Sequence, residues 1–226
     1  MADRSSKWEL SLRKRLGRLG RWLGMDGGPG LGLRDLNRYF EGKSVALVGN
    51  ARSLSDTAFG PDIDAHAVVV RLNSAPMPSP SSHGSRTDVV ATSIVFPRAH
   101  FEHLNPTMIW WMTPKPMALP RWMTRSPGYY RYPESEHARL LARLGARPTT
   151  GLMAIDVLGA LPCGPIGIYG FDFFSSLSLS NDKAAAPAVH DFARERDYVH
   201  DLMARDRRFR LVSRQPPPGA ALEVPQ

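Results

Sequence analysis

Three short groups of polar residues carry the chemistry open to this sequence. Gly49-Asn50 closes the apolar run Val45-Ala46-Leu47-Val48, and Asn73 closes the run Val68-Val69-Val70-Arg71-Leu72. Each Asn amide offers both a donor and an acceptor, a combination suited to a phosphate or a pyrimidine nucleotide. Gly49 has no side chain, so a ligand can approach the backbone there. Neither GxGxxG nor GxxxxGK[ST] is present at these positions, so dinucleotide and P-loop readings lack their fingerprints. Thr149-Thr150-Gly151 precedes an apolar stretch; either threonine can cap a helix whose free N–H groups would meet an anion. His190 and Glu195 form an H-x4-E pair near the start of a late helical stretch. A histidine in that position can project into a cleft and act as a general base. Five positions on a helix rotate by about 140°, so the pair is expected on different faces and makes a poor metal site. His100, Glu102 and His103 lack a further ligand at a sensible spacing, and no metal is expected. Asp172 follows another apolar run, where it can line a cleft. Asp156 stands in an apolar helical stretch and needs a partner. Taken singly, each motif also reads as ordinary structure: a turn, an N-cap or a capping histidine.

These residues need a scaffold that brings them to one place. Two apolar runs separated by a short crossover suggest adjacent parallel strands, which would put Asn50 and Asn73 at one carboxyl edge of a sheet. Ligands bind at that edge in α/β folds. Residues 33–40 read as a short helix, 89–95 and 107–112 as further strands, and 113–133 as a proline-rich loop too irregular for strand or helix. Residues 134–144 form an amphipathic helix with His137, Leu140, Leu141 and Leu144 on one side and Gly145 as its stop. An apolar helix over 152–161, a strand over 165–169, a helix over 189–205 and a strand over 209–212 complete the pattern. Residues 175–188 are Ser- and Ala-rich. Strands alternating with helices predict a single-domain, mainly parallel α/β sheet.

The chain has 226 residues, 42% hydrophobic and 22% charged, which suits one soluble domain with a sizeable core. The lone Cys163 excludes an internal disulfide and fits a reducing compartment. No apolar run reaches the roughly 20 residues that span a bilayer, and no signal-type apolar segment opens the chain. The net charge is +8, and residues 1–25 hold seven basic residues against two acidic ones. The basicity therefore belongs to an arm, and nucleic-acid binding is not expected of the rest. Residues 5–24 read as a basic amphipathic helix with Trp8, Leu12, Leu16, Leu19, Trp22 and Leu23 on one side, fit for an anionic membrane surface; a helix packed on the domain with a solvated basic face, or one that binds nucleic acid, is the alternative. The expected division is an arm and Gly-rich linker over 1–32, a catalytic domain over 33–213 and a Pro-rich tail over 214–226.

In combination these segments resemble the sialyltransferase family of glycosyltransferases (family 29). VALVGNARSL, with VVVRLNSAP and HGSRTD, is similar to its large sialylmotif. RPTTGLMAIDVLGALPCGPIGIYGFDFF is similar to its small sialylmotif, and HDFARE to its very small motif. The order is that of the family, and the resemblance covers roughly residues 43–212. It implies a Rossmann-like fold of the GT-A type and metal-independent, inverting transfer from a CMP-activated sialic-acid-like or Kdo-like sugar to a glycan or glycolipid. No cofactor is implied. On this resemblance Asn50 and Asn73 contact the CMP phosphate and ribose. Thr149, Thr150 and Gly151 hold the nucleotide and the donor carboxylate, and His190 is the base. Gly49, Gly170 and Phe171 join the donor site, with Asp172 and Glu195 in support. Asp62-Ile63-Asp64 has the DxD form of metal-dependent glycosyltransferases, but it falls in a crossover and is set aside. Val45 and Ala46 stand where animal members carry the cysteine that would pair with the one near Cys163, which suits a cytoplasmic, bacterial-type enzyme, peripheral on the inner face of the membrane. The third-motif histidine that assists phosphate departure is not visible in 173–189; Lys183 and Tyr169 are candidate substitutes. A non-catalytic nucleotide- or glycan-binding module, or a transferase using another nucleotide sugar, is the alternative.

Overall fold

The computed structural model describes residues 30–115, 117–171 and 190–212. The arm over 5–24, the segment holding Asp172 and Lys183, and the Pro-rich tail lie outside the described residues.

The chain order is α1 (Leu33–Phe40), β1 (Val45–Val48), a 3-10 turn (Arg52–Asp56), α2 (Gly60–Ala65), β2 (Val68–Leu72), α3 (Pro80–His83) and β3 (Val89–Thr92). Next come α4 (Arg98–Leu104), β4 (Met108–Trp111), α5 (Arg121–Thr124), β5 (Tyr129–Arg131), α6 (Glu134–Leu144) and α7 (Thr150–Ala160). The last elements are β6 (Ile166–Tyr169), α8 (Phe192–Arg205) and β7 (Phe209–Val212). Among the described residues seven strands form one sheet in the order β5-β4-β3-β2-β1-β6-β7, and every neighbouring pair is parallel. The mainly parallel α/β fold expected from the alternation is therefore present.

Parallel strands covered by helices on both faces are apolar throughout. β1 and β2 are buried at every position. Val45 and Leu47 pack with Leu36 and Phe40 of α1, Leu140 of α6, Leu152 of α7 and Val199 of α8. Ala46 and Val48, on the opposite face, pack with Leu54, Ile63 and Tyr169. The chain runs from β1 outward to β5, then returns to β6 on the other side of β1. The reversal of direction opens a crevice beyond the carboxyl ends of β1 and β6, the usual ligand position in doubly wound sheets.

Several expectations change at this level. The segment 113–133 holds α5 and the edge strand β5, whose Tyr130 pairs with Trp110 of β4. Its prolines flank these elements, and Tyr129 and Tyr130 are buried against the sheet. β3 stops at Thr92, because the Thr92 hydroxyl donates to the Ile94 carbonyl at 2.7 Å and accepts from the Ile94 N–H at 3.1 Å. In α6, His137, Leu140 and Leu144 face inward as expected, but Leu141 is 42% exposed. Among the described residues no helix is long and apolar enough to cross a membrane.

Candidate active site

The carboxyl edge is tied together by its own backbone. The Gly49 N–H donates to the Tyr169 carbonyl at 2.8 Å, and the Ala51 N–H to the Gly170 carbonyl at 3.2 Å. Gly170 has φ +64, a left-handed turn that glycine adopts at little cost. A Cβ on Gly49 would strike the Gly170 carbonyl and come within 2.8 Å of the Phe171 ring. A Cβ on Gly151 would also lie 2.8 Å from that ring. Phe171 thus occupies the space left by both missing side chains. Gly49 thus also has a packing cause: a neighbour its missing side chain admits is Phe171.

The two asparagines stand side by side, as parallel pairing of β1 and β2 requires. Asn50 donates from Nδ2 to the Leu72 carbonyl at 3.2 Å. Asn73 has φ 52, a conformation Asn tolerates better than most residues, and its Oδ1 accepts from the Ser93 N–H at 3.2 Å. The Thr150 hydroxyl donates to Ser93 Oγ at 2.7 Å. An unbroken series of contacts therefore joins the ends of β2 and β3 to the start of α7. Ser93 is a member of the site that sequence reasoning missed; its only signal is its place directly after the third strand.

Thr149 is the N-cap of α7, its Oγ1 accepting from the Leu152 N–H at 3.1 Å. The first N–H groups of the helix, at Thr150 and Gly151, have no intrahelical acceptor, and the helix dipole adds partial positive charge there. Glu195 locks the cap from the other side. Its carboxylate accepts from the Thr149 N–H at 2.7 Å and the Thr149 hydroxyl at 2.6 Å. Glu195 is 4% exposed, and burial pushes its pKa up to about 7 against the lowering pull of the Thr149 bonds.

His190 is not on α8. The helix begins at Phe192 with Asp191 as N-cap, whose side chain accepts from the Arg194 N–H. The expected separation of His190 and Glu195 onto different helix faces is therefore wrong. The cap residue Asp191 is extended (φ -105, ψ 91), which takes His190 off the helix, and His190 and Glu195 both reach the segment 147–149. His190 Nδ1 lies 2.6 Å from the Arg147 carbonyl. A carbonyl only accepts, so Nδ1 carries the proton and neutral His190 presents its lone pair at Nε2. Arg147 Nη2 lies 3.4 Å from that Nε2. Burial, then the charges of Arg147 and Lys115, push the His190 pKa below 6.5, and the Arg147 carbonyl opposes them. The ring is thus held neutral, oriented and ready to accept a proton. Arg147 is a second missed residue; no spacing rule marks it, since its contacts arise from the fold.

Three other candidates prove structural. Asp156 accepts from Tyr132 Oη at 2.7 Å, Arg139 Nη2 at 2.5 Å and Tyr198 Oη at 3.2 Å, which supplies the partners an acid in an apolar helix needs. Asp64 accepts from the Ser85 N–H at 2.8 Å and the Arg86 N–H at 3.0 Å, so the DxD acid holds the turn before β3. Tyr169, the candidate substitute for the third-motif histidine, is 5% exposed, and its hydroxyl lies 3.0 Å from His66 Nε2 on the Leu54–Ile63 face. Among the described residues no group of three or more His, Cys, Asp or Glu is placed to hold a metal.

Comparison with known proteins bears on the family resemblance and the fold. Residues 40–126, from the end of α1 past α5, match the model of glycosyltransferase family 29 (sialyltransferase). No curated protein sequence matches the chain. Among solved structures, a mammalian sialyltransferase is similar over 94% of this chain and 86% of its own, with a TM-score of 0.63 and 18% identity. A mammalian sialyltransferase in complex with Gal-beta-1-3GalNAc-ortho-nitrophenol is similar over 82% and 74%, with a TM-score of 0.57 and 20% identity. The sialyltransferase CstII from Campylobacter jejuni, in complex with the substrate analogue CMP-3FNeuAc, is similar over 75% and 78%, with a TM-score of 0.51 and 17% identity. At these identities the structures speak for the fold, and the family match adds the sequence of its first half. The resemblance to family 29 is borne out over residues 40–126, and the fold is that of solved sialyltransferases over most of the chain.

Proposed function

We propose that this sialyltransferase-like chain transfers a sialic-acid-like or Kdo-like sugar from a CMP donor to a glycan or glycolipid hydroxyl, with inversion and without a metal. The observation that carries this reading is the His190 ring, fixed by the Arg147 carbonyl with Nε2 as acceptor, beside the start of α7. The acceptor hydroxyl gives its proton to His190 Nε2 as its oxygen attacks the anomeric carbon. The bond from that carbon to the CMP phosphate breaks, and its electron pair leaves on the phosphate oxygen. Thr150 and Gly151 N–H groups, with Asn50 and Asn73, hold the nucleotide end, where preorganised donors stabilise the departing charge. Phe171 and Gly170 shape the donor side of the crevice. CMP-type ligands and acceptor glycans in the solved relatives support this assignment of donor and acceptor. The basic arm over 5–24 holds the enzyme at an anionic cytoplasmic membrane face, near a lipid-linked acceptor.

The test is a CMP-release assay with CMP-sialic acid and CMP-Kdo across glycan and glycolipid acceptors. Release with one donor, and its loss in His190→Ala while CMP binding persists, is the expected result. An unchanged rate in His190→Ala removes His190 as the base, and no release from any CMP donor removes the reaction.

A further inference from the structure

We infer that the folded domain has its own docking surface for anionic lipid, built from the turn after β3, the segment after β4 and α5, and that it turns the crevice toward a lipid-anchored acceptor. The docking is independent of the basic arm; the choice of acceptor rests on the proposed transfer reaction.

Two strand ends begin this surface. Thr92 of β3 pairs with Trp111 of β4, and the Met112 N–H donates to the Thr92 carbonyl at 2.9 Å. The segments that follow therefore leave the carboxyl edge side by side. The first starts with Ser93, which the Thr150 hydroxyl reaches at the crevice, and continues into Ile94 and Val95. These two are 44% and 38% exposed. They are adjacent, whereas the other large apolar residues so exposed among the described residues, Leu33 and Leu141, stand singly on α1 and α6. Phe96 then turns inward and stacks on Phe101 with ring centroids 6.5 Å apart. Phe101 in turn lies 5.2 Å from the half-buried Trp122 of α5. These rings join the Ile94–Val95 turn and α5 into one outer layer.

Charge decides what covers that layer. Between Glu102 and Glu134 the sequence has no acidic residue, but it holds Lys115, Arg121, Arg125 and Arg131. Both flanking acids are taken: Glu102 pairs with Arg98 at 2.7 Å, and Glu134 with Arg131 at 3.2 Å. Lys115, Arg121 and Arg125 are exposed, and no ion pair engages them among the described residues. Unpaired cations beside exposed apolar side chains and a tryptophan suit the interface of an anionic bilayer, which takes the apolar groups and the charges together. A nucleic acid would meet the cations and leave Ile94 and Val95 in water. The surface also borders the base, because the Lys115 charge acts on His190. An acceptor anchored in the bilayer would thus present its hydroxyl at the mouth of the crevice.

Vesicle binding by the full chain tests this without turnover. An environment-sensitive label on Val95→Cys should shift to the blue on vesicles of equal parts phosphatidylcholine and phosphatidylglycerol. The same label on Ala67→Cys, exposed at the amino edge just before β2, should not shift. The native Cys163 is buried. Arg121→Gln combined with Arg125→Gln should weaken binding to these vesicles about tenfold or more, since each basic residue near an anionic surface contributes several-fold. An arm that only tethers the domain would leave both labels unshifted and the double variant bound like wild type, which overturns the inference. So would a blue shift at Ala67→Cys, equal binding to vesicles of phosphatidylcholine alone, or a shift with a DNA duplex and none with vesicles. A Val95→Cys shift in a chain that releases no CMP from any donor upholds the docking and sinks only the reaction. CMP release without vesicle binding sinks only the docking.

Discussion

The Glu195 carboxylate accepts both the N–H and the hydroxyl of Thr149, at 2.7 and 2.6 Å, and so clamps α8 to the N-terminus of α7. Glu195 is buried and Thr149 half-buried, and removal of the carboxylate leaves two donors without it. Glu195→Ala should cost about 1–3 kcal/mol in urea denaturation. Glu195→Gln should cost less, because its carbonyl still accepts one bond. An Ala variant as stable as wild type would show that the clamp contributes nothing.

The same carboxyl makes stability depend on pH. Its pKa is pushed up to about 7 in the folded protein, against an ordinary glutamate value of 4.5 in the unfolded chain. Between those values the folded state holds a proton that the unfolded chain has released. The stability from this group is full below the unfolded value and is lost as pH rises through about 7. Wild type should lose stability relative to Glu195→Gln as denaturation is repeated from about pH 5 to about pH 8. Parallel curves would contradict the assignment.

His190 titrates in the opposite functional sense. Burial and nearby cations hold its pKa below 6.5, so the base is neutral at pH 7. The acid limb of kcat/KM for CMP release should have its midpoint below 6.5. Removal of the Arg147 charge should move that midpoint upward in Arg147→Gln. A limb that stays in place would mean that another group controls the acid side.

Phe171 packs where side chains on Gly49 and Gly151 would be. Gly151→Ala should displace the ring, cost about 1–3 kcal/mol and raise KM for the donor. Phe171→Leu combined with Gly151→Ala should recover part of the loss, read as a non-additive energy in a double-mutant cycle. Strict additivity would show that the two positions are not in contact.

Asp156 offers a contrast within the small-motif helix. It ties Tyr132, Arg139 and Tyr198 together, and none of these three is a residue of the crevice. Asp156→Ala should lower stability by about 1–3 kcal/mol with the pH profile of CMP release unmoved. A shifted profile would place Asp156 in the chemistry.

Much of the architecture was legible because each strand and helix has its own local cause. The continuous apolar runs at 45–48, 68–72 and 166–169 suit strands buried on both faces, and Thr149 followed by Gly151 suits a helix start. The parallel pairing of β1 with β2, and with it the neighbourhood of Asn50 and Asn73, followed from the length of the crossover. Elements with weaker local signals were misread. β5 is three residues long between prolines, and its strand character comes from pairing with β4 rather than from its own pattern.

The residue types and their spacing along the chain determined the polar edge, its two asparagines, the capped helix and a histidine able to act as a base. Tertiary structure alone decided which atom of His190 is the base, that Glu195 grips Thr149, that Phe171 covers both glycines and that Arg147 stands at Nε2. The physical reason is range. Helix and strand periodicity act over a few residues, whereas the Arg147–His190 contact joins positions 43 residues apart, the Thr149–Glu195 contact 46 apart, and the Thr150–Ser93 contact 57 apart. Such contacts form only when the sheet order brings the ends of β1, β3 and β6 to one edge.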